Sequence, residues 1–231
     1  MSSFVLKIIA VVAMLCDHVG ICLTNRIASG WNYIGRLAFP IFAFQICEGY
    51  QHTHDLKKYL LKLLVFAIIS QIPFNLFEYA LGSSFHLNVL FTLLLGLIAI
   101  TCFDKSTNKL VGFLGVAICV ALGKILQVDY GYWGVLLVFC FYLFKNNKIL
   151  MSLIFLLLVM AKYCNNLIES NFYYQYIALA IGTFSAIIPI VLYNGQQGHK
   201  TKYFLYIFYP VHLVVLAISY LLNGIFWGCF V

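Results

Sequence analysis

Apolar residues run through this chain in blocks of about twenty, the length that lets an α-helix cross a bilayer core. Short polar breaks separate them at Asn25 to Gly30, Gln51 to Asp55, Gly82 to His86, Asp104 to Asn108, Lys145 to Lys148, Asn165 to Ser170 and Gly195 to Lys202. Nine segments follow, over 4–24, 31–50, 57–80, 87–103, 109–127, 130–145, 149–163, 171–194 and 203–223. The sixth and seventh are short, so the pattern admits eight to ten. No polar stretch is long enough for a soluble domain. The expected fold is all-α: a polytopic membrane helix bundle, one domain over residues 1–231.

Composition agrees with that pattern. The chain is 64% hydrophobic and 9% charged, with a mean hydropathy of +0.98, whereas a soluble domain carries about 25% charged residues. The net charge of +7 is spread among the loops and does not point to nucleic acid. Cys16, Cys22, Cys47, Cys102, Cys119 and Cys140 lie within apolar runs, where cysteine behaves as a small hydrophobe. No C-x-x-C pair occurs, and no metal site is expected. Phosphate-loop, HExxH and GxSxG motifs are absent too.

Charge orients the chain. Lys57, Lys58 and Lys62 follow the second segment, Lys105 and Lys109 the fourth, Lys145 and Lys148 the sixth, Lys200 and Lys202 the eighth. The remaining connections hold few cations, among them Arg26 and Lys162. Basic loops stay in the cytoplasm. The N-terminus is therefore expected inside a bacterial inner membrane and the C-terminus outside. Tyr130, Tyr132 and Trp133 suit an interfacial aromatic belt.

The first segment, LKIIAVVAMLCDHVG, carries Lys7, Asp17 and His18 inside an apolar run. Ionisable groups at membrane depth are costly and mark sites. Lys7 and His18 are eleven residues apart, three helical turns plus about 20°, so they share a face about 16 Å apart along the axis. In the antiparallel second segment Arg36 falls near the depth of Asp17 and His18, and Glu48 near that of Lys7. Matched depth predicts two ion pairs, Asp17 with Arg36 and Lys7 with Glu48. His18 can act as a general base near neutral pH. Arg36 can brace the bundle or hold an anion. Pro210 and His212 sit mid-way along the ninth segment, where a kink beside a histidine can line a cavity. Gln71, Asn75 and Asn88 gather toward the outer face as hydrogen-bond donors.

Five stretches, LKIIAVVAMLCDHVG, GRLAFPIFAFQICEGY, SQIPFN, LNVLFTLLLG and YPVHL, resemble in order and spacing the TraX family, membrane proteins linked to N-acetylation of F-type pilin. The likeness runs from Leu6 to about Leu213. It implies transfer of an acetyl group from cytoplasmic acetyl-CoA to an amine. The Lys7-x10-His18 spacing is also similar to the basic-x10-His motif of the acyltransferase-3 family, whose histidine acts in acyl transfer. These resemblances imply His18, oriented by Asp17, as base or acyl carrier and Arg36, Gln71, Asn75 or Asn88 as oxyanion donors. His212 is the next candidate for the base. Lys7, Lys57, Lys58 and Lys62, with Lys105 and Lys109, would hold the phosphates of CoA. The implied partners are membrane lipid and an extracytoplasmic acceptor protein, peptide or glycan, carrying an amine or a hydroxyl. Two other classes use the same residues: a proton-coupled transporter or flippase, with Asp, His and Arg as a relay, and a non-catalytic assembly factor for surface appendages.

Overall fold

The computed structural model describes residues 1–24, 30–169, 173–199 and 204–228. Arg26, Lys200 and Lys202, whose charges entered the orientation, lie outside them. Eleven helices occur among the described residues: α1 (Ser3–Thr24), α2 (Gly30–Gly35), α3 (Ala38–His52), α4 (Leu56–Ala80), α5 (Val89–Lys105), α6 (Lys109–Ile125), α7 (Gly131–Leu143), α8 (Lys148–Glu169), α9 (Tyr173–Ser185), α10 (Ile187–Val191) and α11 (Phe204–Gly228). They reproduce the nine segments. The second and eighth are each broken in two, as α2–α3 and α9–α10.

Both breaks have one cause. Pro40 lies in the first turn of α3 and Pro189 in that of α10. A proline lacks the N–H that would reach back four residues, and its ring clashes with that carbonyl. The residues four back are Arg36 and Ser185, and the helices α2 and α9 end at Gly35 and Ser185. Arg36 thereby stands at a helix break, held by its N–H to Asn32 O at 3.0 Å. Three other starts are capped by side chains: Asp55 accepts from Lys58 N, Asn88 from Leu90 N and Asn108 from Leu110 N.

Helix α7 is the centre of the bundle. Val135, Leu137 and Val138 are fully buried, with Phe139 and Phe141 nearly so. It packs against α3, α5, α6 and α8. Its thirteen residues make about 20 Å of helix, too short to cross a bilayer unaided. The outer helices do the opposite and expose rows of large apolar residues, such as Ile68, Ile69 and Ile72 on α4 and Leu110, Leu114 and Ile118 on α6. Such contiguous apolar surface suits lipid rather than water. Among the described residues, three stretches are long and apolar enough to cross a membrane by length and composition, Ser3–Leu23, Leu56–Ala80 and Tyr174–Val191.

The two ends of the bundle differ. At one end Met1 N bonds Leu192 O at 2.7 Å, Ser3 N bonds Gln196 O at 2.8 Å and Lys148 Nζ bonds Val191 O at 2.7 Å. Lys105, Lys145 and Lys148 of the predicted basic loops lie at that end. At the other end the α4–α5 and α6–α7 connections are clasped together. A single parallel bridge joins Leu87 to Val128, with Leu87 N–H to Gln127 O at 3.1 Å and Asp129 N–H to Leu87 O at 2.7 Å.

One of the two predicted ion pairs does not form. Glu48 pairs with His52 at 3.6 Å rather than with Lys7. The reason is register. Ser3 Oγ donates to Gln45 Oε1 at 2.8 Å and Asn32 Nδ2 to Asp17 Oδ1 at 3.0 Å. These contacts place Lys7 opposite Ile41, about two turns or 10 Å from Glu48. Of the residues expected in an aromatic belt, Tyr132 is 53% exposed, whereas Trp133 is buried in the core at 5%.

Candidate functional site

A cavity of about 440 Å³ opens at the end of the bundle away from the basic loops. Helix α1 contributes Asp17, His18 and Ile21; the α2–α3 break contributes Arg36; α4 contributes Phe74, Phe77 and Glu78. His86, Asp129, Tyr130 and Lys162 complete the polar wall. Its size is that of a small-molecule site.

The predicted pair of Asp17 with Arg36 is present, Nη2 to Oδ1 at 3.5 Å. Asn32 Nδ2 also donates to Asp17 Oδ1 at 3.0 Å and to Asp17 O at 3.2 Å. Gly35 makes the approach possible, since an added Cβ there would overlap the Asp17 side chain. One donor on the guanidinium stays unused: Arg36 Nε is buried without a hydrogen-bond partner. A buried charged donor left unmatched is expensive, and Arg36 is also one of the residues that line the cavity.

His18 is oriented by His212 rather than by Asp17. His212 Nδ1 lies 2.8 Å from Phe208 O. A carbonyl only accepts, so this nitrogen carries the proton and Nε2 of the neutral ring is an acceptor. That Nε2 lies 2.8 Å from His18 Nδ1, which must then donate. The unprotonated nitrogen of His18 is therefore Nε2, on a ring that lines the cavity. The two imidazoles stack with centroids 5.1 Å apart at 14°, and Phe208 stacks on His212 at 4.9 Å. Phe77 packs on His18 at 5.2 Å. A backbone carbonyl, one histidine and then a second form a chain that fixes the tautomer of the last member.

The other predicted residues are placed elsewhere. Gln71, Asn75 and Asn88 form one structural network. Gln71 Nε2 donates to Asn75 Oδ1 at 2.7 Å and to His86 O at 2.9 Å. Asn88 is fully buried, donates to Ala67 O and Gln71 Oε1 at 2.8 Å each, and caps α5 through Leu90 N at 3.0 Å. Those donors clamp the α4–α5 corner instead of facing the cavity. Lys7 is half-buried on α1, about three turns from His18. Lys57, Lys58 and Lys62 lie in the first two turns of α4, with Lys58 paired to Asp55 at 3.1 Å. A second cavity, of about 560 Å³, sits at that basic end and is lined by Tyr50, His54, Asp104, Lys105, Tyr142 and Lys145. Its Asp104 accepts hydrogen bonds from the hydroxyls of Tyr50 and Tyr142.

Glu78, His86, Asp129, Tyr130 and Lys162 join the site without having been read as site residues in the sequence. Lys162 carried a signal, an ammonium inside the apolar run of its segment. Its Nζ sits 4.1 Å from the Trp133 ring centre, 4.5 Å from Tyr130 and 5.6 Å from Tyr163. Tyr130 has a left-handed backbone, φ 63°, and stacks on Phe39 at 3.8 Å. Asp129, in the connection between α6 and α7, is held by Thr92 Oγ donating to its carbonyl. Burial raises its carboxyl to about 6, against the opposing pull of His86, Lys162 and Arg36. Among the described residues no group of three or more His, Cys, Asp or Glu is arranged to hold a metal.

An α-helical membrane protein with an ionisable cavity between its helices is the class these features define. The chain belongs to the TraX family: the family model for TraX protein matches residues 2–219. It is 29% identical over 238 residues to a probable fimbrial assembly protein FimC, serogroup H1, of Dichelobacter nodosus, covering 94% of each chain. It is 32% identical over 131 residues to the uncharacterized protein RP591 of Rickettsia prowazekii (strain Madrid E), covering 54% of this chain and 49% of the other. No solved structure matches.

Proposed function

We propose that this protein is an acetyltransferase of the bacterial inner membrane, moving an acetyl group from cytoplasmic acetyl-CoA to an amine or hydroxyl of an extracytoplasmic acceptor. The observation that carries the reading is the His18–His212 pair, which leaves an unprotonated nitrogen on an imidazole that lines a cavity together with Arg36. That is the equipment of acyl transfer: a base with a fixed tautomer and a donor for the developing oxyanion. In the direct route, the acceptor's lone pair forms a bond to the thioester carbonyl carbon while His18 Nε2 takes its proton. Collapse then breaks the C–S bond, and the proton passes from His18 to the departing thiolate. The Nδ1–H to His212 lets the positive charge be shared while His18 holds that proton. The phosphates of CoA would dock at the basic end, on Lys57, Lys58 and Lys62 and on Lys105 and Lys145 of its cavity, with lysine acting as a point charge.

The relative named as a fimbrial assembly protein supports a surface-appendage protein as the acceptor. It also favours a second reading, an assembly factor without catalysis. Purified protein given labelled acetyl-CoA and a short peptide with a free N-terminal amine separates the two. The expected result is label on the peptide, with His18→Ala reducing turnover by about 10²–10⁴ while CoA still stabilises the variant thermally. Near wild-type transfer by His18→Ala removes the histidine from the chemistry. No transfer and no stabilisation by CoA leaves the assembly factor.

A further inference from the structure

The ammonium of Lys162 is arranged unlike a topology charge. A lysine near the end of a membrane helix ordinarily extends its stem toward the interface and keeps its head in water. Here the head turns inward. Nζ lies over three aromatic rings and lines the same cavity as His18 and Arg36. The cage is rigid. Trp133 Nε1 donates to Leu158 O at 2.7 Å, which fixes the indole, and Tyr130 is pinned by its stack on Phe39. Ring faces hold a cation by their quadrupole and consume none of its N–H donors. Lys162 also forms no ion pair within 4 Å among the described residues, although Asp17 and Asp129 line the same cavity. Lys162 Nζ thus keeps its donors for something else in a cavity that Arg36 and His18 also line.

We infer that Lys162 is a catalytic residue that, with Arg36, stabilises the oxyanion formed when the acetyl thioester is attacked. The inference rests on the acetyl-transfer reading. Of the residues expected in the electrostatic role it keeps Arg36, and it puts Lys162 in place of Gln71, Asn75 and Asn88, whose network closes on itself and on backbone carbonyls. In the addition step the carbonyl π electrons move onto oxygen, and this new negative charge is what Lys162 and Arg36 meet. In the collapse step the same electrons return to re-form the carbonyl as the C–S bond breaks, and the stabilisation is released. Lys162 neither gains nor loses a proton. Its contribution is a donor placed in advance against three ring faces, and such donors act on the transition state more than on bound substrate.

The competing role is structural, a cation–π staple between α7 and α8. Steady-state kinetics on the full-length protein in detergent, with acetyl-CoA and a free-amine peptide, tells the two apart. Lys162→Met should lower kcat by about 10²–10³ with little change in KM for acetyl-CoA, and Lys162→Arg should recover part of the loss. Thermal unfolding checks that both variants fold. A Lys162→Met protein with a lowered Tm but unchanged kcat would make the lysine a staple. A rise in KM alone would make it a ground-state ligand. Acetyl-Lys162 recovered by mass spectrometry and discharged by acceptor would make it a covalent carrier. Each of these three results overturns the inference. Absence of transfer by the wild-type protein with any amine or hydroxyl acceptor would instead overturn the acetyl-transfer reading and the inference with it.

Discussion

Replacing His212 by Phe tests the histidine pair most directly. Phenylalanine keeps a flat ring against Phe208 and His18 but removes the acceptor at Nε2. His18 Nδ1–H, 2.8 Å from that nitrogen, then loses its partner in a site where His212 is only 6% exposed. A buried donor left unmatched costs about 1–3 kcal/mol. His18 can escape that cost by turning its ring or by moving its proton to Nε2, and either route removes the lone pair from the cavity. At 1.4 kcal/mol per decade the population of competent enzyme falls about 5- to 150-fold. The loss should appear in kcat, since His212 touches no substrate. His18→Ala should cost more, about 10²–10⁴. The double variant should be no slower than His18→Ala alone, because His212 acts through His18. Purified variants matched for folding by thermal unfolding, assayed by label transfer from acetyl-CoA, give these ratios. Unchanged turnover in His212→Phe, or strictly additive losses in the double variant, would refute the tautomer argument.

Gly35→Ala should displace α2 from α1, because the new methyl group meets the Asp17 side chain; overpacking of this kind costs about 1–3 kcal/mol, so Tm and turnover should fall together, and an unchanged Tm would mean the approach of α2 to α1 is not tight. Asn88→Ala should lower Tm through lost capping and the stranded Gln71 and Ala67 oxygens, by about 1–3 kcal/mol, while kcat per folded molecule stays near wild type; a specific collapse of kcat would return Asn88 to the chemistry. Single cysteines placed at Lys57, Lys105 and Lys145 should resist an impermeant thiol reagent in intact cells while one at Ser83 reacts, and labelling at Lys105 from outside would reverse the proposed orientation.

The register of α1 against α3 shows where a one-dimensional reading stops. Matched depth brought Asp17 and Arg36 together correctly, because Arg36 has a long side chain and stands at a break. The same reasoning misplaced Lys7 and Glu48, since side-chain contacts such as Ser3 with Gln45 shift the pair by about two turns. Gln71, Asn75 and Asn88 were legible as a polar cluster. Polarity alone did not say that their donors close on one another and on backbone carbonyls.

Chain order and composition by themselves determined the nine apolar segments, the lipid-facing character and the gathering of the described loop lysines at one end. These follow from local physics: a backbone in hydrocarbon must bond to itself, and an apolar run of sufficient length becomes a helix wherever it packs. They also brought out His18, because an imidazole in such a run is costly enough to be noticed. Tertiary structure alone decided what His18 does. His212 lies 194 positions away, and Lys162 comes to the same cavity from α8. No local rule sets which helix faces meet. In a bundle nearly uniform in hydrophobicity, that choice falls to close packing at small residues such as Gly35 and Gly134, to proline breaks at 40 and 189, and to the few hydrogen bonds that tie one helix to another.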